Sequence, residues 1–423
     1  MKKGLLNLLL GLLLTLLVVV GCFFFYHTVY KGLKTAKMIA DETIENAGSA
    51  AAIANREPLV VDAGDKSDFD KKMDTILQYM DYYYNGEIDM DAMYDAMLHA
   101  AVSSLGDPYS VYYSPEEYSA LLESSSGVYS GIGATISQDM TTKAMTIVTP
   151  FTNSPAYNAG LCSGDQIVAV DGESVIGEDL SDVVTKIKGL EGTTVNITVL
   201  RDGQEITFTV KRARIEVEFV SHKMLDDKIG YSLVSEFEET TADQFSAAIA
   251  DLQKKGMKGL VVDIRNNPGG LYNIVCDMLD RILPKGSLLV YTEDKYGRKA
   301  YEYAETTDTV DIPIAVIVNG NSASASEIFS GALQDYGKAV IVGTQSFGKG
   351  IVQSVIPIMY DGSGVKLTSS RYFTPNGVCI HGTGITPDVV VELEEGLEKI
   401  NIELRDHDNQ IDAAVEEVKK LMR

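Results

Sequence analysis

IAVIVNGNSASASEIFSGALQDY, Ile314 to Tyr336, passes from an apolar run through a turn of small polar residues into a segment with helical spacing. An apolar run without alternation, followed at once by a helix, is the pattern of a strand buried on both faces of a parallel sheet. Neighbouring stretches repeat it: KGLVVDIR, the helix-like LYNIVCDMLDRIL, SLLVYTE and, beyond the quoted stretch, AVIVGT. From about residue 215 to 395 the chain therefore reads as an α/β unit built on a largely parallel sheet. In such a sheet, ligands collect where the carboxyl end of a strand turns into a helix, and the first helical N–H groups point there. This turn holds Ser322, Ser324 and Ser326. Ser324 and Glu327 form S-x-x-E, a capping box, and taken alone the stretch favours that structural role over a nucleophile.

Two further strand-end loops change the weight. DIRNNPGG, Asp263 to Gly270, ends in two glycines that let a backbone N–H approach a ligand without a side chain in the way. Such a donor, with the N–H of Ala325, makes an oxyanion hole. TQSFGKGIVQS, Thr344 to Ser354, presents Lys349 between two glycines. A lysine packed against apolar strands gives up its proton more readily and can act as a base. Ser346 to Lys349 also reads S-x-x-K, but that arrangement needs a helical turn, which Gly348 and Gly350 disfavour.

Toward the N-terminus the pattern changes twice. Residues 27–125 carry helical periodicity in MDTILQYMDYYY and MDAMYDAMLHAAVSSL and close at the turn GDPYS, Gly106 to Ser110. Their tyrosines and methionines are expected to pack in a core. Residues 126–214 read as short strands, GIGATIS, AMTIVTPF, DQIVAVDG, TVNITVL and EITFTVKRA, interrupted by helical pieces at 154–161 and 180–189. Asp202-Gly203 suits a tight hairpin between the last two strands. Residues 396–423 end in DNQIDAAVEEVKKLMR, which sets Ile411, Val415, Val418 and Leu421 on one helical face with Asp408 or Asn409 as cap. That helix can dock on its own domain or on a second subunit, which leaves a homodimer open.

Residues 1–26 stand apart. Gly4 to Tyr26 carries no charge and is long enough to span a bilayer as a helix. The apolar run continues past any small-residue exit, which favours a retained membrane anchor over a cleaved signal, with VVGC at Cys22 as a lipoprotein-like alternative. The net charge of -24 offers no basic face for a nucleic-acid backbone. Four cysteines without CxxC spacing and five scattered histidines point to no disulfide framework, metal or cofactor.

The order of strands in 126–214, with Gly131-Ile132-Gly133 opening the first and NSPAYNAGLCSGDQIVAVDG following, resembles a PDZ domain of bacterial proteases. Its glycine-bounded loop can turn N–H groups toward a peptide carboxylate while the strand edge accepts the peptide. NNPGG, SASASE and FGKGIVQS, in that order along the chain, with GDPYS before them and TSSRYFTPNGVCIHGTGITPD after, resemble the carboxyl-terminal processing proteases, serine peptidases with a Ser/Lys dyad. The resemblance implies a crotonase-like α/β protease core. It also implies Ser324 as nucleophile, Lys349 as general base and Gln353 as the residue that holds the lysine. Gly270 and Ala325 fall at the oxyanion positions, with Gly269 a near neighbour. The implied substrate is a protein with a free C-terminus, bound by the PDZ domain and cleaved outside the cytoplasm of a bacterial cell. A catalytically silent, membrane-tethered PDZ adaptor is the alternative of a different class.

Overall fold

The computed structural model describes residues 67–397 and 408–423. The expected anchor at Gly4 to Tyr26 lies outside them; among the described residues no helix is long and apolar enough to cross a membrane.

The central sheet is built from Ile229–Val234, Gly259–Asp263, Ile314–Val318, Ala339–Gly343 and Val389–Val390, parallel and in that order. Val220–Met224 adds an antiparallel edge beside Ile229–Val234. Side chains alternate along the strands. Leu260, Val262, Val316 and Ile341 pack with Phe245, Leu252, Val275, Leu279, Phe329 and Leu333 of the helices Thr241–Lys254, Tyr272–Asp280 and Ala325–Asp335. Val261, Ala315, Ile317 and Val342 pack instead with Ala414 and Val418 of the C-terminal helix Asn409–Leu421. Both faces are covered, which is why these strands read as unbroken apolar runs.

The C-terminal helix thus docks on the core of its own chain. Gly259 makes room for it, since a Cβ there would lie 2.3 Å from Val418 Cγ1. Asp408 caps the helix through the N–H groups of Gln410 and Ile411. It also pairs with the buried Arg265 at 2.9 Å, which in turn pairs with Asp263 at 2.5 Å.

SLLVYTE does not join the parallel sheet. Leu288–Asp294 lies in a second, antiparallel sheet with Lys299–Tyr303 and Gly364–Phe373; Val111–Tyr113 and Ile351–Pro357 also pair with Gly364–Phe373. The cause is local: a hairpin captures it with Lys299–Tyr303, and only Leu289, Val290 and Thr292 of the strand are buried. Val111–Tyr113 is also a strand inside the stretch expected to be helical.

Between the paired strands Val128–Gly131 and Ala213–Glu216, an antiparallel sheet forms from Ala134–Gln138, Met145–Pro150, Gln166–Val170, Thr194–Arg201 and Gln204–Lys211. Ile147, Val183, Ile197 and Val199 lie at its core. Asp202 (φ 51°) and Gly203 (φ 77°) are both left-handed, as a two-residue hairpin turn of the mirror type requires. Ala134–Gln138 is a terminal strand of its sheet. Gln138 ties that strand to the start of helix Leu180–Ile187, accepting from Leu180 N–H at 3.2 Å and donating to Glu178 O at 2.6 Å.

The expected core packing holds for Tyr112, which is buried, and is corrected for the tyrosines of the two N-terminal helices and for Met90. Helix Asp68–Tyr83 buries none of its residues, and Tyr79, Tyr82 and Tyr83 are 61%, 79% and 74% exposed. Helix Met90–Ser103 has no buried residue either, with Met90 and Tyr94 exposed. Helical periodicity reports that an apolar face exists, not that another element covers it.

Candidate active site

Strands Gly259–Asp263, Ile314–Val318 and Ala339–Gly343 are parallel neighbours, so the loops that leave their carboxyl ends meet at one end of the sheet. Ser322 and Ser326 join two of these loops. Ser322 Oγ donates to Ile264 O at 2.8 Å and Ser326 Oγ to Asn267 O at 2.9 Å, and both residues are fully buried. Ala323 N–H also donates to Asn267 O at 3.1 Å. Ser324, between them, is half-buried and stands at φ 56°, ψ -114°. A serine held at positive φ costs on the order of 1–3 kcal/mol and persists only where its surroundings dictate it.

What dictates it is Glu327. Half of the expected capping box is present, with Ser324 N–H donating to Glu327 Oε2 at 2.9 Å. The same oxygen accepts Lys349 N–H at 2.8 Å. Oε1 accepts Gly348 N–H at 2.7 Å and Ser346 Oγ–H at 2.5 Å. One fully buried carboxylate therefore takes four donors and fastens the serine loop to the lysine loop. On the other side, the Tyr372 hydroxyl lies 2.9 Å from Ser324 O and 2.7 Å from Lys349 O. The sequence reading missed both roles. S-x-x-E has a sufficient local explanation, and Tyr372 comes from a distant strand; the one available signal was a lone acidic residue in the otherwise uncharged run from Ile314 to Leu333.

Ser346 is committed elsewhere. It is buried, lies outside any helix, donates to Glu327 and accepts Ile385 N–H at 2.6 Å. The helical S-x-x-K arrangement is absent.

The two glycines of NNPGG differ. Gly269 N–H is taken by Asn267 Oδ1 at 2.9 Å, and a Cβ on Gly269 would lie 2.8 Å from Ser324 Cβ and 3.1 Å from Ala325 N. Gly270 (φ 144°) is pressed against Phe237, where a Cβ would sit 2.2 Å from the carbonyl oxygen. Among the described residues, neither Gly270 N–H nor Ala325 N–H, at the first position of helix Ala325–Asp335, has a hydrogen-bond partner.

Lys349 is half-buried, with Nζ 4.5 Å from the centroid of the Tyr109 ring. Burial pushes its pKa below the usual 10.5 and the charge of Lys366 pushes the same way, against Asp107 and Glu327. No hydrogen bond joins its ammonium to Ser324. Gln353 Nε2 is 3.5 Å from Thr368 Oγ1 and makes no contact of this kind with the lysine. Beside the lysine loop, a cavity of about 520 Å³ opens between Asp107, Ile351, Thr368, Arg371 and His381.

Away from these loops, Ile132 is buried and its carbonyl accepts Ala156 N–H at 2.8 Å. Gly133 (φ 73°) packs so closely on Ser154 that a Cβ would lie 2.6 Å from Ser154 Cβ. Gly131 pairs with Ala213. Among the described residues, the N–H groups of Ile132 and Gly133 have no partner, next to the terminal strand Ala134–Gln138.

Comparison with known proteins matches residues 228–391 to peptidase family S41 and residues 146–201 to the PDZ domain. The carboxy-terminal processing protease CtpB of Bacillus subtilis is 35% identical over 372 residues, covering 86% of this chain and 74% of that protein. A CtpA-like serine protease of Staphylococcus saprophyticus is 34% identical over 340 residues, 80% of this chain and 68% of that one. A solved structure described as an S41 protease, from Bacteroides fragilis, has a TM-score of 0.50 at 17% identity, covering 82% of this chain and 97% of that chain. That last likeness is one of fold.

Proposed function

The chain belongs to peptidase family S41 as a C-terminal processing serine protease with a PDZ domain, and from that premise we propose that Ser324 is its nucleophile and Lys349 its general base. The observation that carries this reading is the shared Glu327 oxygen, which accepts the backbone N–H of both residues and so fixes them to each other. Neutral Lys349 takes the proton from Ser324 Oγ as that oxygen attacks the scissile carbonyl. The oxyanion that forms is met by Gly270 N–H and Ala325 N–H, both without a partner among the described residues. Collapse of the tetrahedral adduct expels the amine, which takes the proton back from Lys349, and water then resolves the acyl-enzyme.

This requires Lys349 Nζ to leave the face of Tyr109 and reach Ser324. The movement is one of the Lys349 side chain, while Glu327 holds the backbone N–H of both residues. Gln353, on the strand that follows the lysine loop, is then the residue that retains the lysine in its working position. Burial keeps the neutral lysine accessible at lower pH than for a free side chain.

The substrate is a protein with a free C-terminus. Its carboxylate is bound by the N–H groups of the Gly131-Ile132-Gly133 loop, and its last residues add as a strand to the edge of Ala134–Gln138. The apolar segment Gly4 to Tyr26 holds the enzyme to the cell membrane with the protease outside the cytoplasm. The test is cleavage of an unfolded protein with an apolar C-terminus by the detergent-solubilised full chain. Loss of cleavage with Ser324→Ala and with Lys349→Ala, and weaker binding when the substrate's carboxylate is amidated, are expected. Binding of the same tail with no cleavage by wild type would replace the enzyme by an adaptor.

A further inference from the structure

We propose that Tyr372 is a positioning residue of the reaction, its single hydroxyl proton shared between the carbonyl oxygens of Ser324 and Lys349; this rests on the assignment of those two residues above. The geometry is specific. Tyr372 sits near the end of strand Gly364–Phe373, is 1% exposed, and packs in the main core with Phe237 and Phe329. Its own N–H donates to Gly350 O at 3.1 Å, so the residue is tied to the lysine loop by backbone as well as side chain. The hydroxyl lies 2.9 Å from Ser324 O and 2.7 Å from Lys349 O.

A core tyrosine needs only one acceptor. Here there are two, and they belong to the two residues whose spacing decides whether a proton can pass between them. The amides of the same two residues share Glu327 Oε2. Nucleophile and base are therefore bracketed twice: one acceptor oxygen holds both N–H groups, and one donor holds both C=O groups. Ser324 O also accepts the N–H groups of Glu327 and Ile328, so the helix retains it without Tyr372. Lys349 O has no other donor among the described residues. Losing the hydroxyl frees the lysine side of the bracket and leaves Lys349 O without a donor among the described residues. Burial keeps the phenol protonated far above its usual pKa of 10.0, so the bracket persists across any working pH.

The experiment compares Tyr372→Phe, a variant carrying 4-aminophenylalanine at 372, and Ser324→Ala in the full chain. It measures kcat, KM and the rate at which a fluorophosphonate labels Ser324, each per folded molecule. An aniline nitrogen has two hydrogens and can serve both carbonyls. Tyr372→Phe is expected to lower kcat and labelling rate about tenfold, as a misplaced nucleophile does, with KM within about twofold. The aniline variant is expected to recover to within about threefold of wild type. A phenylalanine variant with wild-type kcat and labelling rate would overturn the proposal, as would a stably folded aniline variant as slow as phenylalanine. Undiminished cleavage by Ser324→Ala would instead refute the underlying assignment.

Discussion

Replacing Glu327 by glutamine changes one oxygen into an NH₂ and removes one buried charge. The four donors now converging on the carboxylate decide the outcome. If the new NH₂ points at Ser324 and Lys349, two N–H groups face two N–H groups. If it points the other way, Ser346 Oγ can turn to accept from it, but Gly348 N–H is stranded; this second arrangement costs less and is the one expected. A stranded buried N–H costs about 1–3 kcal/mol, and exchanging a charged for a neutral acceptor costs roughly 1 kcal/mol for each of the other two amides. Relief of the buried charge offsets part of this. A net loss of about 2 kcal/mol remains, enough to lower Tm by about 4–8 °C for a core of this size. The same substitution removes a charge that holds the Lys349 pKa up. Activity through neutral Lys349 rises with pH as the ammonium loses its proton, so a lower lysine pKa moves the acidic limb to lower pH. Thermal unfolding together with kcat/KM against pH on a quenched peptide measures both effects. A lower Tm, a lower maximal rate and an acidic limb displaced downward are expected. An unchanged Tm with an unmoved or upward-shifted limb would refute the role assigned to Glu327.

The charges around the lysine give a paired prediction: Lys366→Met should move the acidic limb of the kcat/KM profile up, because it removes a charge that lowers the lysine pKa, and Asp107→Asn should move it down. Opposite signs or no shift would show that the limb belongs to another group. Gly270→Ala places a Cβ 2.2 Å from Phe237 O and displaces a proposed oxyanion donor; a loss of about 10²-fold in kcat is expected, and activity within twofold of wild type would remove Gly270 from the site. Asp408→Ala breaks a buried ion pair and removes a helix cap. Denaturant unfolding should show a loss of about 3–5 kcal/mol, and a change below 1 kcal/mol would mean that the C-terminal helix is held by its apolar face alone.

The parallel core was legible because its strands are covered on both sides, so Gly259–Asp263 and Ile314–Val318 carry no alternation that could be mistaken for a surface strand. The three strand-end loops were legible for a related reason: parallel neighbours deliver their carboxyl ends to one place, and glycine clusters mark where a backbone must come close. SLLVYTE was misplaced because a short apolar run does not say which sheet it joins, and its hairpin partner Lys299–Tyr303 is polar and alternating. Tyr79, Tyr82 and Tyr83 repeat at helical spacing yet face solvent, since spacing cannot name a covering partner. Glu327 was visible as a cap but not as a tie, because its other donors come from Ser346, Gly348 and Lys349, some twenty residues on. Tyr372 had no local signal at all; a hydroxyl that reaches two carbonyls from another strand exists only in three dimensions.

The central claim, that Ser324 attacks with Lys349 as its base, is tested most directly by trapping the acyl-enzyme. The full chain is mixed with an activated ester of a preferred peptide, quenched in acid at short times over a range of pH, and mapped by mass spectrometry. An adduct on Ser324 is expected, with a rate of formation that rises with pH through one ionisation below the usual lysine pKa of 10.5 and loses that ionisation in Lys349→Ala. An adduct on another residue, or a pH dependence that survives the loss of the lysine, would contradict it.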